Sequence, residues 1–193
     1  MRRFLSATLF LFILAIVSAA LISCAKQTPA PAPLTEADQV ARGKYLVTVL
    51  GCNDCHTPGY FYGSPDATRK LSGSELGWKG PWGVSYARNL TPEPQTGIGA
   101  WSESDIVASL RTGKRPDGTM LLPPMPWPDL AALTDEDAAA IAKYLKTLTP
   151  VPHKMPDIVP PGAPVKGSFF TLPPPSAWDA PKTPPATAPP STH

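Results

Sequence analysis

Three stretches of the chain space their apolar residues as an α-helix does. After Thr35, which can cap a helix, Val40, Val47 and Leu50 recur near that spacing, and acidic residues occupy the first turn. Gly43 lies inside this pattern, where the missing side chain permits close approach of another helix. We therefore predict a first helix that begins after Thr35 and ends near Leu50.

Two further helices have clear beginnings and ends in the sequence. The second covers residues 103–112, with Ser102 as its N-cap and Gly113 as its stop. The third follows Thr134, carries three acidic residues in its first turn and ends before Pro150. Its apolar residues form one stripe, which indicates a face turned towards a core.

The remaining segments are predicted to be irregular. Neither helical nor strand spacing persists through residues 57–100, a length that is uncommon in a compact domain unless the loops pack on a large ligand. Residues 120–130 contain four prolines and are predicted to form neither a helix nor a central strand. Residues 151–193 are predicted to be an extended tail, in which Phe169, Phe170 and Trp178 can dock on the domain.

The N-terminus has the features of an export signal. Two arginines precede an apolar run over residues 4–22, and Ser23 and Cys24 follow. The sequence Leu21-Ile22-Ser23-Cys24 resembles the lipobox of bacterial lipoproteins, in which the cysteine is lipidated and becomes the first mature residue. The alternative is an uncleaved membrane helix, because about 20 apolar residues can span a bilayer. Both interpretations tether the domain to a membrane on its periplasmic side, and Ala25 favours the outer membrane.

Composition completes the predicted organisation. We expect a lipoprotein signal peptide (1–23), a Pro/Ala linker (24–34), one domain (35–150) and a Pro-rich tail (151–193). The tail is set apart because 14 of the 27 prolines lie in residues 150–190. Loss of the signal leaves 15 basic and 15 acidic residues, a balance that gives no indication of a nucleic-acid partner.

The candidate chemistry lies in Cys52, Cys55 and His56. A structural zinc site needs four ligands, and the only other cysteine is Cys24. A disulfide between Cys52 and Cys55 suits an exported protein but leaves His56 without a role. Covalent haem attachment uses all three residues, because the thiols add to the porphyrin vinyl groups and the histidine ligates the iron. We therefore predict one covalently bound haem c.

A methionine is the expected second axial ligand of this iron, because a thioether favours the ferrous state. Met125 lies in Pro123-Pro124-Met125-Pro126, where the prolines restrict the backbone and hold a ligand without help from a helix. Met120 and Met155 are the alternatives, and an open sixth position is a third possibility.

Several motifs together resemble a known family. The helix followed by CxxCH, the Met-bearing loop and the closing helix "LTDEDAAAIAKYLKTL" resemble class I cytochromes c. More narrowly, Asn89-Leu-Thr-Pro92, Thr96-Gly-Ile-Gly99, Trp101 and Pro124-Met-Pro126 resemble the haem domains of cytochrome subunits of bacterial membrane-bound alcohol, aldehyde and gluconate dehydrogenases. Those subunits usually carry three haem domains in tandem, whereas this chain has a single CxxCH.

The resemblance implies a fold and a ligand set. It implies the all-α cytochrome c fold, with about three to five helices around one haem, whose axial ligands are His56 and Met125. It also implies that the first and last helices cross at small residues, here Gly43 with Tyr144 or Leu145. Candidates to wall the haem or bind its propionates are Trp78, Trp82, Tyr86, Arg88 and Asn89. The basic residues Arg111, Lys114 and Arg115 form either a solvated loop or a docking patch.

The function expected from these residues is the transfer of single electrons. A lipid-anchored monohaem cytochrome c would pass electrons between redox proteins, as the acceptor or a subunit of a dehydrogenase, and its own chain would not be an enzyme. The alternative is a haem enzyme or a gas-binding sensor, in which a small molecule takes the sixth position.

Overall fold

The computed structural model describes residues 34–173. The predicted signal peptide, Cys24, Trp178 and most of the linker lie outside the described residues. The helices are α1 (Glu36–Val49), α2 (Cys52–His56), α3 (Glu103–Thr112), α4 (Trp127–Leu130) and α5 (Asp135–Lys146), with two 3-10 turns at Tyr60–Tyr62 and Ala67–Arg69. The strands are β1 (Gly77–Gly80), β2 (Gly83–Tyr86) and β3 (Phe169–Thr171). Between residues 34 and 173, none of the helices has the length and apolar character needed to cross a bilayer.

The three long helices begin where their capping residues predict. The Thr35 hydroxyl accepts a hydrogen bond from the Asp38 amide at 3.2 Å, and the Asp38 carboxylate accepts one from the Thr35 amide at 3.1 Å. Ser102 and Asp105 form the same reciprocal pair at the start of α3. Thr134 caps α5. All three predicted helices are confirmed.

Helices α1 and α5 cross at Gly43, as predicted. A Cβ atom added at Gly43 would lie 1.9 Å from the Ala140 carbonyl oxygen and 2.7 Å from the Cβ of Tyr144. Beside this point, Arg42 of α1 forms an ion pair with Asp137 of α5, with Nε 2.8 Å from the carboxylate. The core around the crossing draws on α1, α3 and α5 and on the loop residues between them, with Leu46, Val47, Leu71, Ile98, Ile106, Ile141 and Leu145 buried.

A small sheet corrects the all-α expectation. Strands β1 and β2 form an antiparallel hairpin with Gly77 opposite Tyr86, and β3 lies parallel to β1 with Phe169 opposite Gly77. The chain is therefore mostly helical but not purely all-α. Periodicity could not show these strands, because each has three or four residues and β2 is buried at every position instead of alternating.

The proline-rich segment also contains one helix that was not predicted. Helix α4 covers only Trp127–Leu130, and Pro128 lies in its first turn. Proline is tolerated there because the first amides of a helix have no intrahelical partner. The expectation that residues 120–130 contain no helix is wrong for these four positions.

Residues 151–159, called the strap below, pack on the domain after α5. Met155 in the strap is only 3% exposed. Val159 exchanges two backbone hydrogen bonds with Val84, of 2.8 and 3.0 Å. Further along, the Phe170 ring lies 5.7 Å from Phe61 and 5.3 Å from Trp78, which confirms the expected docking for Phe170.

Candidate functional site

One cavity of about 710 Å³ lies inside the domain. This volume is in the range of about 300–1,000 Å³ that cofactor and ligand sites occupy. Its walls come from α1, α2, β2, residues 87–98, α3, the loop before α4, and α5. The lining includes all four predicted cofactor-binding residues: Cys52, Cys55, His56 and Met125.

Helix α2 carries the first three of these residues. Gly51 precedes it with φ of 68°, a left-handed conformation that glycine adopts at low cost and that turns the chain out of α1. One and a half turns of helix then bring both thiols and the imidazole to the same cavity. The local sequence thus builds a cofactor attachment point at the end of α1.

The surroundings of Cys52 and Cys55 favour the thiol over the thiolate. Burial raises the pKa of the Cys52 thiol to about 11, and burial followed by the Asp54 charge raises the pKa of Cys55. A zinc ligand or redox nucleophile requires a thiolate, which these surroundings disfavour. Within residues 34–173, no three His, Cys, Asp or Glu side chains cluster to hold a metal ion. The spacing of the two thiols and the adjacent histidine on this helix is that of covalent haem attachment.

His56 is held in one orientation by its second ring nitrogen. Nδ1–H donates to the Arg88 carbonyl oxygen at 2.6 Å, which leaves Nε2 as the metal-binding atom. Burial lowers the pKa of the imidazole, so the neutral form that can ligate a metal predominates. The His56 carbonyl in turn accepts from the Gly73 amide at 2.8 Å. Arg88 could not be singled out from sequence alone, because this contact joins residues 32 positions apart.

The three candidate methionines differ in their surroundings. Met125 is half-buried and lines the cavity. Met120 pairs instead with Lys114 in an isolated β-bridge, and Met155 is buried against Gly73 outside the cavity lining. The structure thus brings Met125, among the three candidates, together with His56.

The loop that carries Met125 is fixed at three points. The Leu121 amide donates to the Gly113 carbonyl at 2.7 Å, and the Ser85 hydroxyl donates to the Pro123 carbonyl. The Trp127 ring packs so closely on Gly113 that an added Cβ would lie 2.5 Å from it. A ligand on this loop is therefore held by β2 and by the end of α3 as well as by its prolines.

The cavity also holds two cations suited to carboxylates. Arg88 and Arg115 both line it, and the Nε of Arg88 is a buried donor without a partner. Burial, and then the neighbouring Arg115, lowers the pKa of the Arg88 guanidinium, while Asp157 opposes this. An unpaired buried donor beside a second cation fits the propionates of a haem. With its apolar walls, two thiols, an imidazole and a thioether, the cavity fits that group.

Two of the candidate haem-wall residues have other roles. The Asn89 side chain is 1% exposed and makes four hydrogen bonds, to Thr91 (two), Thr96 and Val151, so it has no free donor for a propionate. Trp82 lies outside the cavity lining and donates to the Trp78 carbonyl at 3.2 Å. Trp82 is therefore not part of the cavity wall, whereas Asn89 lines the cavity but uses its polar atoms within the protein.

The other candidates are distributed as follows. Trp78, Tyr86 and Arg88 line the cavity. Within the basic cluster, Arg111 is paired with Asp135 at 2.6 Å and donates to the Ala131 carbonyl. Of the three basic residues, only Arg115 reaches the cavity lining, so the cluster is not a single patch.

Comparisons with known proteins agree with this geometry. Residues 40–149, more than half of the chain, match the family model for cytochrome c. The chain is 38% identical to the alcohol dehydrogenase (quinone) cytochrome c subunit of Gluconobacter oxydans (strain 621H), over 62% of this chain and 24% of that protein. It is 36% identical to the fructose dehydrogenase cytochrome subunit of Gluconobacter japonicus, over 59% and 23%. It is 35% identical to the gluconate 2-dehydrogenase cytochrome c subunit of Pantoea cypripedii, over 54% and 22%. The aligned part thus spans about a quarter of the length of these relatives.

Proposed function

The chain belongs to the cytochrome c family, and on that premise we propose that it carries one covalent haem and transfers single electrons between redox proteins. The observation that carries this proposal is the convergence of Cys52, Cys55, His56 and Met125 on one cavity. A bound haem supplies a reversible one-electron couple. The count of one rests on the single CxxCH motif in the sequence.

The residues of the cavity have distinct roles in this proposal. Cys52 and Cys55 would hold a haem covalently, each thiol adding across one vinyl group so that sulfur and hydrogen end on neighbouring carbons. His56, oriented through Nδ1 by the Arg88 carbonyl, would offer Nε2 to the iron, and Met125 would offer its thioether sulfur. Arg88 and Arg115 would bind the propionates, and the apolar walls would exclude water, which raises the potential of a bound haem.

Ligation by Met125 separates this function from its alternative, a haem enzyme or gas sensor with an open sixth position. The three contacts that fix the Met125 loop favour a permanent ligand. The ferric protein should show the thioether–iron charge-transfer absorption band, and the ferrous protein should bind carbon monoxide slowly and incompletely. Rapid stoichiometric binding of carbon monoxide would show that the sixth position is open.

The second part of the proposal is a lipid anchor on Cys24, which places the protein at the periplasmic face of a membrane, the outer membrane by preference. It is supported by the lipobox-like residues 21–24 and by the attachment of c-type haem after export. Radiolabelled palmitate should be incorporated into the wild-type protein and not into Cys24→Ala. The Cys24→Ala protein should also leave the membrane fraction; its retention there would favour an uncleaved helix.

The third part of the proposal concerns the partner. We infer a dehydrogenase that oxidises a small alcohol, sugar or sugar acid, because the relatives are cytochrome subunits of alcohol, fructose and gluconate dehydrogenases. The test adds ethanol, fructose or gluconate to membranes of the source bacterium and follows reduction of the purified ferric protein. Reduction of the wild-type protein that depends on one of these substrates, and that is slower for Met125→Ala, supports the inference. Absence of reduction with every substrate contradicts it.

A further inference from the structure

We propose that the strap, residues 151–159, positions the axial imidazole of His56 and so sets the midpoint potential, with His153 as its anchor. This inference rests on the proposed function, because it takes His56 as a haem ligand. It assigns a role to a segment that follows the last helix of the domain. Two separate chains of hydrogen bonds, and one packing contact, connect the strap to His56.

The first connection begins at His153. Its Nδ1 lies 3.0 Å from the Ser72 carbonyl oxygen and 3.1 Å from the Ser72 hydroxyl, whose own proton goes to the Arg69 carbonyl. Its Nε2 lies 2.6 Å from the Glu75 carboxylate. The imidazole therefore fixes the backbone at Ser72. The next residue, Gly73, donates its amide to the His56 carbonyl at 2.8 Å.

The second connection begins at Pro156. Its carbonyl oxygen accepts from Arg88 Nη1 at 2.8 Å. The backbone carbonyl of Arg88 is the acceptor for Nδ1–H of His56 at 2.6 Å. The strap thus holds the residue that orients the axial ring, and it holds this residue by a side chain that also lines the cavity.

Met155 joins the two connections. Its sulfur would lie 2.6 Å from a Cβ added at Gly73, and the Ala87 carbonyl and Asn89 amide would lie within 3.0 Å of the same point. The two backbone segments that contact His56 therefore meet under a side chain of the strap. The nearby Leu71 is fully buried with φ of 60°, a conformation that costs energy for a residue other than glycine and requires support from its surroundings.

A change in the strap should therefore alter the midpoint potential of the iron. Hydrogen bonding at the second nitrogen raises the basicity of a ligating histidine, and a more basic ligand stabilises the ferric state. Loss of the anchor loosens the bond between His56 and the Arg88 carbonyl, so the midpoint potential should rise. Solvent entry alone would act in the opposite direction, because water around the haem favours the more highly charged ferric form.

The test compares haem-loaded His153→Ala with the conservative His153→Gln, whose amide nitrogen has two hydrogens to donate to the Ser72 carbonyl and the Glu75 carboxylate. Asp135→Asn is the matched control, because it breaks a charged pair of the same 2.6 Å length between α3 and α5, away from the strap. Two quantities are measured on each ferric or redox-titrated protein. They are the midpoint potential and the paramagnetically shifted haem methyl resonances, which report the orientation of the axial imidazole.

The expected result is a higher potential and a changed methyl pattern in His153→Ala, recovery of both in His153→Gln, and no change in Asp135→Asn. If His153→Ala does not accumulate, Glu75→Gln provides the milder perturbation and should change both quantities in the same direction. An unchanged methyl pattern overturns the inference, whether the potential is constant or lower. A wild-type protein without covalent haem contradicts the proposed function instead, so the two failures are distinguishable.

Discussion

Replacement of Gly43 by alanine tests the helix crossing that closes one side of the cavity. Two opposed effects decide whether this substitution raises or lowers the free energy of unfolding. Alanine favours a helix over glycine by about 1 kcal/mol, so an uncrowded site would become more stable. At Gly43, however, the new methyl group would lie 1.9 Å from a backbone oxygen, whereas ordinary contact begins near 3.4 Å. The clash is with backbone and with a Cβ atom, neither of which can rotate away.

The helices must therefore separate by about 1.5 Å, which loosens the packing of Leu46 and Val47 against Ile141 and Leu145. Overpacking of a core costs about 1–3 kcal/mol, and a forced backbone shift belongs at the upper end of that range. After the gain in helix propensity, we expect Gly43→Ala to lower the free energy of unfolding by about 2 kcal/mol. For a domain of this size the midpoint of thermal unfolding should fall by about 8 °C.

The assay is urea unfolding of the haem-loaded protein followed by far-ultraviolet circular dichroism, with thermal unfolding as a second measurement. Ala41→Gly is the control, because Ala41 is exposed on the same helix and should lose only the propensity difference of about 1 kcal/mol. If Gly43→Ala is as stable as the wild type, or more stable, the close crossing of α1 and α5 is refuted.

The other predictions concern the ligand, a buried amide and a surface carboxylate. Met125→Ala should lose the charge-transfer band, lower the midpoint potential and bind carbon monoxide, whereas Met120→Leu should change none of these; the reverse result would assign the ligand to Met120. Asn89→Ala removes four hydrogen bonds of about 1 kcal/mol each and should lower the free energy of unfolding by about 3–4 kcal/mol in urea titrations; a loss below about 1 kcal/mol would contradict its central position in the loop. Asp66 accepts hydrogen bonds from Thr68 and Arg69, which lower its pKa from 3.8 to about 2. Its contribution to the free energy of unfolding is therefore present above pH 3.8 and is lost as the pH falls towards 2. Asp66→Asn should therefore flatten the acid side of the curve of unfolding free energy against pH. An unaltered curve would show that the bonds of the Asp66 carboxylate to Thr68 and Arg69 do not contribute to stability.

Features that depend on near neighbours in the sequence could be predicted. The helix caps at Thr35, Ser102 and Thr134 bond to residues three positions away, and the structure confirms them. The attachment motif is local for the same reason, because one short helix carries both cysteines and the histidine. Gly43 was also recognisable, since a glycine inside a helical pattern needs a packing reason.

Features that depend on distant partners could not be predicted. Strand β3 pairs with β1 far along the chain, and neither is long enough to show alternation. Asn89 lies in a loop rich in polar and small residues, and only the folded chain shows that all its polar atoms are used internally. The acceptor for His56 is a backbone carbonyl, which is common to every residue and carries no sequence signal.

The assignment of Arg88 illustrates an intermediate case. Its side chain could be proposed as a partner for carboxylates, because a guanidinium pairs with them readily. Its hydrogen bond to Pro156 could not be proposed, because the acceptor is again a backbone oxygen, in a segment that sequence alone describes only as proline-rich. The sequence indicated that tail aromatic residues can dock, but it could not show that Met155 and His153 also pack on the domain.

The central claim is that this chain holds a haem through two thioether bonds. Intact-protein mass spectrometry of the exported, mature chain tests it most directly, with a Cys52→Ser, Cys55→Ser double variant as the reference. The account predicts that the wild-type mass exceeds that of the bare polypeptide by one haem, that acid and organic solvent do not remove the group, and that the double variant lacks it. A correctly exported wild-type chain whose mass is that of the unmodified polypeptide would contradict the account.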